Sequence, residues 1–363
     1  MLIISLYART IQTTDSRGLS TVTSILAGWI ILESILVIGF RLFPSIEDRF
    51  YRSPLGDVFV GSQRLDGYFG LFPDNATAFN KAGGFWLNAN TASMFLGAAA
   101  WALVWAYVLW RRKIVAYGAA MAFFAVPFTG SKTGLVLLVA TVFFVVALRW
   151  LLARYGGAGV AVLALTALPL YIFVTHLVEL LPSTFRSDSS ESLGSRGLIW
   201  SVARDLFHQY PAQGLGFGGW TNEFASRIGG LLAARLPPHN TFIAYWANTG
   251  LLGASLLFGL WIAIAVTCVR MVKRSRWSRW ASAAVCASLG WIAIHGMGDA
   301  VDFYGDERSM LLFGLLLGVI VVGSSPREDV EDLGLASNAT SGYARPDVPT
   351  NRVRSRPELG RVP

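Results

Sequence analysis

One of the chain's four histidines stands where proton transfer to or from a hydroxyl would be possible. His239 follows Pro237-Pro238 and precedes Asn240 and a long apolar run, so it lies at the mouth of a helix. A neutral imidazole there would act as a general base at physiological pH. The plainer alternative is a capping histidine. Asn240 is a secondary candidate beside it. Gly250 and Gly253 follow in the same run; at about 100° per residue, Gly250 falls nearly beneath His239 on one helix face. Small residues on that face would admit a neighbouring helix closely and hold the histidine end in place.

Two further segments have the residue types that grip an anion. Ser195-Arg196-Gly197 opens a stretch in which Leu198, Ile199, Val202, Ala203, Leu206 and Phe207 recur at helical spacing until Pro211. With Ser195 as N-cap, backbone N–H groups, the positive dipole end and the Arg196 guanidinium would converge on one spot. A surface helix with a solvated arginine is the competing reading. Gly130-Ser131-Lys132-Thr133-Gly134 similarly precedes an apolar helix expected to start at Leu135, which puts Ser131 and Lys132 at a second helix N-terminus. The spacing is not that of a nucleotide-binding P-loop, because Ala125 stands where the first glycine belongs. A lysine snorkelling to a membrane interface would look the same.

His295 and Asp299, four residues apart near the end of an apolar segment, form a secondary pair, since ionisable groups at membrane depth face a cavity or a partner. His208 and His176 read as structural. Arg64, in Arg64-Leu65-Asp66-Gly67, is a secondary candidate whose spacing implies no mechanism. No metal site or cofactor motif is present: Cys268 and Cys286 fall in apolar stretches without paired spacing and read as packing residues.

The elements that must position these groups are membrane helices. Of 363 residues, 54% are hydrophobic and 14% charged, with mean hydropathy +0.51. That is more apolar surface than one soluble core hides. The formal charge of +8 is spread as short clusters at the ends of apolar runs, which suits topology and not nucleic acid. No cleaved signal is expected from the short apolar start. About eight segments are long and apolar enough to cross a bilayer. They are Thr21 to Phe43, Phe85 to Trp110, Ile114 to Thr129, Gly134 to Leu152, Gly157 to Val178, Thr241 to Val269, Trp280 to Val301 and Met310 to Val322.

Arg111-Arg112-Lys113, Arg149 with Arg154, and the run from Arg270 to Arg279 occupy tight connections, which makes those connections cytoplasmic. Alternation from there places both termini inside and two long loops outside. The expected fold is therefore an all-α polytopic membrane bundle over 1–323, with a large, partly helical periplasmic loop at 179–240. A disordered cytoplasmic tail is expected at 324–363.

Taken together, these segments resemble the O-antigen ligase and O-antigen polymerase superfamily, bacterial membrane enzymes that handle undecaprenyl-diphosphate-linked glycans. The resemblance runs from about Arg64 to Leu257. It is most specific in His239-Asn240 followed by Gly250-Leu251-Leu252-Gly253, which is similar to the family's His-Asn-x9-Gly-x-x-Gly signature. Thr129 to Gly134, Ser195 to Trp200, and Pro211 with Gly214-Leu215-Gly216-Phe217-Gly218 add to it. The family usually has Ser-Arg where this chain has Ser131-Lys132, a point charge in place of a bidentate fork.

The resemblance implies an inner-membrane enzyme whose site faces the periplasm. It would move a glycan from an undecaprenyl-diphosphate donor to a lipid A-core or other glycan acceptor, with inversion and without metal or cofactor. A ligase and a polymerase joining lipid-linked repeat units are both compatible with that chemistry. A transporter or flippase using His295 and Asp299 is the reading from another class. Membrane lipids are expected partners and nucleic acid is not.

Overall fold

A computed structural model of the protein describes residues 16–71, 80–155, 197–228, 236–274, 278–298 and 307–324, and these are helical with no strand among them. The chain is a multi-pass membrane protein of the all-α class. Helix α1 (Ser16–Leu42) is followed by three short helices, α2 (Pro44–Tyr51), α3 (Pro54–Phe59) and α4 (Ser62–Leu71). A 3-10 turn (Gly84–Trp86) then leads into α5 (Ala89–Trp110), α6 (Lys113–Ala125) with its 3-10 extension (Val126–Thr129), and α7 (Lys132–Tyr155). Helix α8 (197–209) and α9 (Gly219–Ile228) precede α10 (Thr241–Arg274), α11 (Arg279–Gly298) and α12 (Glu307–Ser324).

Five of these, α1, α5, α7, α10 and α11, are long and apolar enough to cross a membrane, and the segments Lys113–Thr129 and Arg308–Ser324 are shorter apolar helices. Seven of the expected spans thus have helical counterparts. The eighth, Gly157 to Val178, lies outside the described residues, as does the expected tail beyond Ser324.

Helix α5 is the hub. Lipid tails are as apolar as leucine, so membrane helices associate by close packing of small residues and by hydrogen bonds. The sequence of α5 provides both. Ala92, Ala98, Ala99, Ala102 and Ala106 are buried, and its main partner α11 answers with Ala281, Ala283, Ala284 and Ala287. Gly97 lets the Trp291 ring lie directly against the α5 backbone, where a Cβ would overlap it. The Ser288 hydroxyl donates to the Ala98 carbonyl at 2.7 Å, and Trp101 Nε1 donates to Thr141 of α7 at 3.0 Å. Helices α1 and α6 close the other side, with Gly118 against Ala27. By contrast α10 exposes Leu252, Leu256, Phe258 and Ile262, the face a helix turns to lipid. Cys268 and Cys286 are free thiols.

The two ends of the bundle differ chemically. At one end Arg112 Nε donates to Ser20 Oγ at 3.0 Å, and the Arg149 guanidinium lies 4.1 Å from the centre of the Trp280 ring. The basic connections therefore gather at the same end. At the other, the turn before α5 is held by the buried Glu33 and the half-buried Arg308. Glu33 of α1 accepts the Phe85 N–H at 3.1 Å, while Arg308 of α12 donates to the Phe85 carbonyl at 2.9 Å and stacks over Trp86 at 4.2 Å. Both peptide groups of Phe85 are thus satisfied by the first and last described helices.

Glu47 of α2, only 2% exposed, accepts the Gly83 N–H, and the Tyr51 hydroxyl shares its one hydrogen between Glu47 at 3.2 Å and the Gly84 carbonyl at 2.8 Å. Loss of water on burial pushes the Glu47 carboxyl from 4.5 up to about 7; Asp48 pushes the same way, and the two hydrogen bonds pull against it.

A carboxyl that holds its proton more tightly folded than unfolded favours folding below the unfolded value, and that advantage is lost as pH rises through the folded one. Thermal unfolding in detergent should therefore show stability falling between pH 4.5 and about 7. Glu47→Gln should flatten that slope and be more stable than wild type at pH 8 by roughly 2–3 kcal/mol. A variant with the wild-type slope would refute the assignment.

Candidate functional site at the convergence of three helix ends

The N-terminus of α7 is built by hydrogen bonds local to its own sequence. Gly130, at φ +77°, ends the preceding 3-10 turn. Thr129 Oγ1 accepts the Ser131 N–H at 3.1 Å, and Ser131 Oγ accepts the Gly134 N–H at 3.3 Å. Ser131 is the N-cap, so α7 starts at Lys132, one turn earlier than the apolar pattern suggested at Leu135. The cap absorbs Lys132-Thr133-Gly134, which hydropathy alone leaves out. Lys132 is consequently the first helical residue, half-buried at the positive end of the dipole. Ser131 itself is 4% exposed, with its hydroxyl engaged as a cap instead of presented to a ligand.

The N-terminus of α10 is capped by Asn240. Its Oδ1 accepts from Phe242 and Ile243 at 2.9 and 3.2 Å, and its Nδ2 donates to the Met297 carbonyl at 3.1 Å. His239 is therefore not the cap. It precedes the helix with φ +48°, a left-handed backbone that asparagine and glycine adopt more easily than histidine.

Between these two N-termini lies the C-terminal turn of α11. His295 is fully buried, with Nε2 3.5 Å from Ser131 Oγ. Gly296 packs against Thr241, the first residue of α10, and a Cβ on Gly298 would stand 3.5 Å from Thr133 Oγ1. One helix end thus touches both candidate segments and draws the Lys132 and His239 ends together. The third segment joins through α8. Its buried Ile199, Val202, Ala203 and Leu206 form a small separate core with Trp220, Phe224 and Trp246, and Trp200 Nε1 donates to the carbonyl of Pro238 at 3.2 Å. The first turn of α8 is therefore bonded to the residue immediately before His239. Leu198 and Phe207, expected on the buried face, are exposed, although the Phe207 ring meets Trp246 in a tilted contact at 5.2 Å. Ser195, Arg196 and Asp299 lie outside the described residues. Arg64 is exposed on α4.

Gly250 and Gly253 behave differently from the stripe expected of them. Gly250 has φ +69° and ψ −170°, a conformation open essentially to glycine alone, and it breaks α10. The loop after α8 enters the break: Leu215 N donates to Ala247 O at 2.7 Å, and Leu251 N donates to Ala212 O at 2.9 Å. These bonds satisfy the backbone groups that the break frees. A Cβ at Gly250 would strike the Ala212 carbonyl, so its close partner is this loop and not another helix. Gly253 is crowded by the side chain of Thr249 of its own helix. The helical-wheel relation between His239 and Gly250 fails because the helix starts after the first and breaks at the second.

Residues 117–258 match a family model described as O-Antigen ligase. Over this stretch the chain is similar to the O-antigen ligase family. A search of curated proteins finds no significant match. The O-antigen ligase match starts within α6 and ends within α10, so it takes in Lys132, α8, His239 and Gly250 and leaves out α11 with His295. Among the described residues, no three His, Cys, Asp or Glu side chains cluster as metal ligands would. The buried Glu33 and its neighbour Arg308 escaped the sequence reading. The signal was a lone acid inside an otherwise apolar span.

Gly250→Ala should destabilise the protein by about 2–3 kcal/mol and free the loop after α8, seen as a lower melting temperature and faster proteolysis within 211–218. Gly253→Ala, meeting only a side chain that can rotate, should cost less. Equal effects would refute the account of the break.

Proposed function

We propose that the protein is a glycosyltransferase that moves a glycan from undecaprenyl diphosphate to a sugar hydroxyl, as an O-antigen ligase does. The observation that carries this reading is the meeting of the Lys132 helix end, the first turn of α8 and the His239 turn through α11 and Pro238. Those are the segments whose residue types suit a diphosphate and a hydroxyl, and they fall in the region matched by the O-antigen ligase family. In this reading the end faces the periplasm from a bacterial inner membrane, and the positive-inside rule supports that orientation because the basic connections lie at the opposite end.

In the proposed step the acceptor oxygen attacks the anomeric carbon and forms the new glycosidic bond, while the bond from that carbon to the diphosphate oxygen breaks on the opposite face. His239 takes the acceptor proton. The electron pair leaves with the lipid diphosphate, whose growing charge is met by Arg196, Lys132 and the dipole of α7. These cations supply the charge stabilisation, so the reaction is proposed to need no metal. Inversion at the anomeric carbon follows from single displacement. The break in α10 is a feature shared with many transporters, but here its freed backbone groups are occupied by the loop after α8, which favours the transferase.

Purified protein incubated with a lipid-diphosphate oligosaccharide and candidate acceptors tests this directly. Transfer to lipid A-core indicates a ligase, and longer lipid-linked chains indicate a polymerase. His239→Asn should lower kcat by about 10²–10⁴ while leaving the melting temperature unchanged, because asparagine tolerates the left-handed backbone. Arg196→Ala should lose donor affinity, and Lys132→Arg should keep or raise activity. Near-normal transfer by either of the first two variants would overturn the site.

A further inference from the structure

The imidazole of His295 has no part in the step just described, yet it is fully buried at the meeting point of the three helix ends. A polar ring at the end of an apolar helix costs free energy unless it bonds to something. One neighbour is Ser131, whose hydroxyl has two tasks. The oxygen accepts the Gly134 N–H at 3.3 Å, which leaves the hydroxyl hydrogen directed elsewhere, and His295 Nε2 lies at 3.5 Å. With the hydroxyl as donor, Nε2 is the acceptor and the ring proton is on Nδ1. The contact is long, as site hydrogen bonds often are before substrate binds.

The docking of α11 has supports apart from that ring. Its last turn is secured by Gly296 against Thr241, by Gly298 near Thr133 and by the bond from Asn240 to the Met297 carbonyl. What the ring adds is the orientation of Ser131, and through Ser131 the first turn of α7.

We propose that His295 is a positioning residue for donor binding: by holding the Ser131 hydroxyl it fixes the cap of α7, so that Lys132 and the dipole of that helix meet the diphosphate in one orientation. This rests on the reading of Lys132 as a diphosphate ligand. It also assigns a function to α11, which lies outside the residues matched by the ligase family.

The test uses the full-length protein with His295→Leu, which keeps bulk but removes the acceptor, His295→Gln, whose amide oxygen can accept the Ser131 hydrogen, Ser131→Ala, and the Ser131→Ala/His295→Leu double variant. In steady-state transfer, His295→Leu should raise donor KM about tenfold, the order of one lost hydrogen bond, with kcat and acceptor KM little changed. His295→Gln should recover most of that loss. The double variant should be no worse than the poorer single one, because both remove the same tie.

Equal loss in the Leu and Gln variants, a change confined to kcat or acceptor KM, or additive single effects would overturn the proposal. Hydrogen–deuterium exchange over 131–135 decides the tie without catalysis. Faster exchange in His295→Leu, reversed in His295→Gln, supports it, and unchanged exchange sinks it. Wild-type protein that transfers no glycan would overturn the functional reading instead, leaving the exchange result to stand alone.

Discussion

The arrangement of the site depends on one contact: the carbonyl end of α11 seated between the amide ends of α7 and α10. A helix C-terminus carries partial negative charge and an N-terminus partial positive charge, so the three ends are electrostatically complementary. The contact is secured by small residues and capping side chains. Gly296 and Gly298 admit Thr241 and Thr133, while Asn240 caps its own helix and reaches the Met297 carbonyl with the same amide. Move α11 away and the Lys132 and His239 ends lose their common support.

The alanine-rich seam between α5 and α11 makes this possible. Because Gly97 and the alanines of both helices allow backbones to approach closely, the height of α11 is set by packing along its length. Its last turn then meets the two N-termini at one level. The separate core under α8 serves a similar purpose for the third segment, and it is tied to the bundle at two points, through Pro238 and through the break at Gly250. A loop docked by backbone hydrogen bonds into a broken helix is held more firmly than one resting on a membrane surface. Preorganisation of that kind is what electrostatic catalysis requires.

Charge in the apolar region is used sparingly and at defined places. Glu33 and Arg308 satisfy the two peptide groups of Phe85, and Glu47 with Tyr51 holds the adjoining Gly83 and Gly84. These groups fasten the turn that feeds α5, the hub helix, so their burial serves architecture as directly as it could serve chemistry.

Much of this was legible in the residues themselves. Runs of apolar residues long enough for a bilayer gave the helices of the bundle, basic clusters marked one end of it, and the residue types around Lys132, α8 and His239 singled out segments that the fold brings together, because hydropathy, charge and capping are local properties. Tertiary structure decided what those local signals could not. It showed Asn240, not His239, as the cap; it turned Gly250 from a packing face into a break filled by the loop at Ala212; and it brought His295 to Ser131. Each of those depends on which backbone group of one element meets a distant one, and a linear pattern records spacing along the chain, not distance across it.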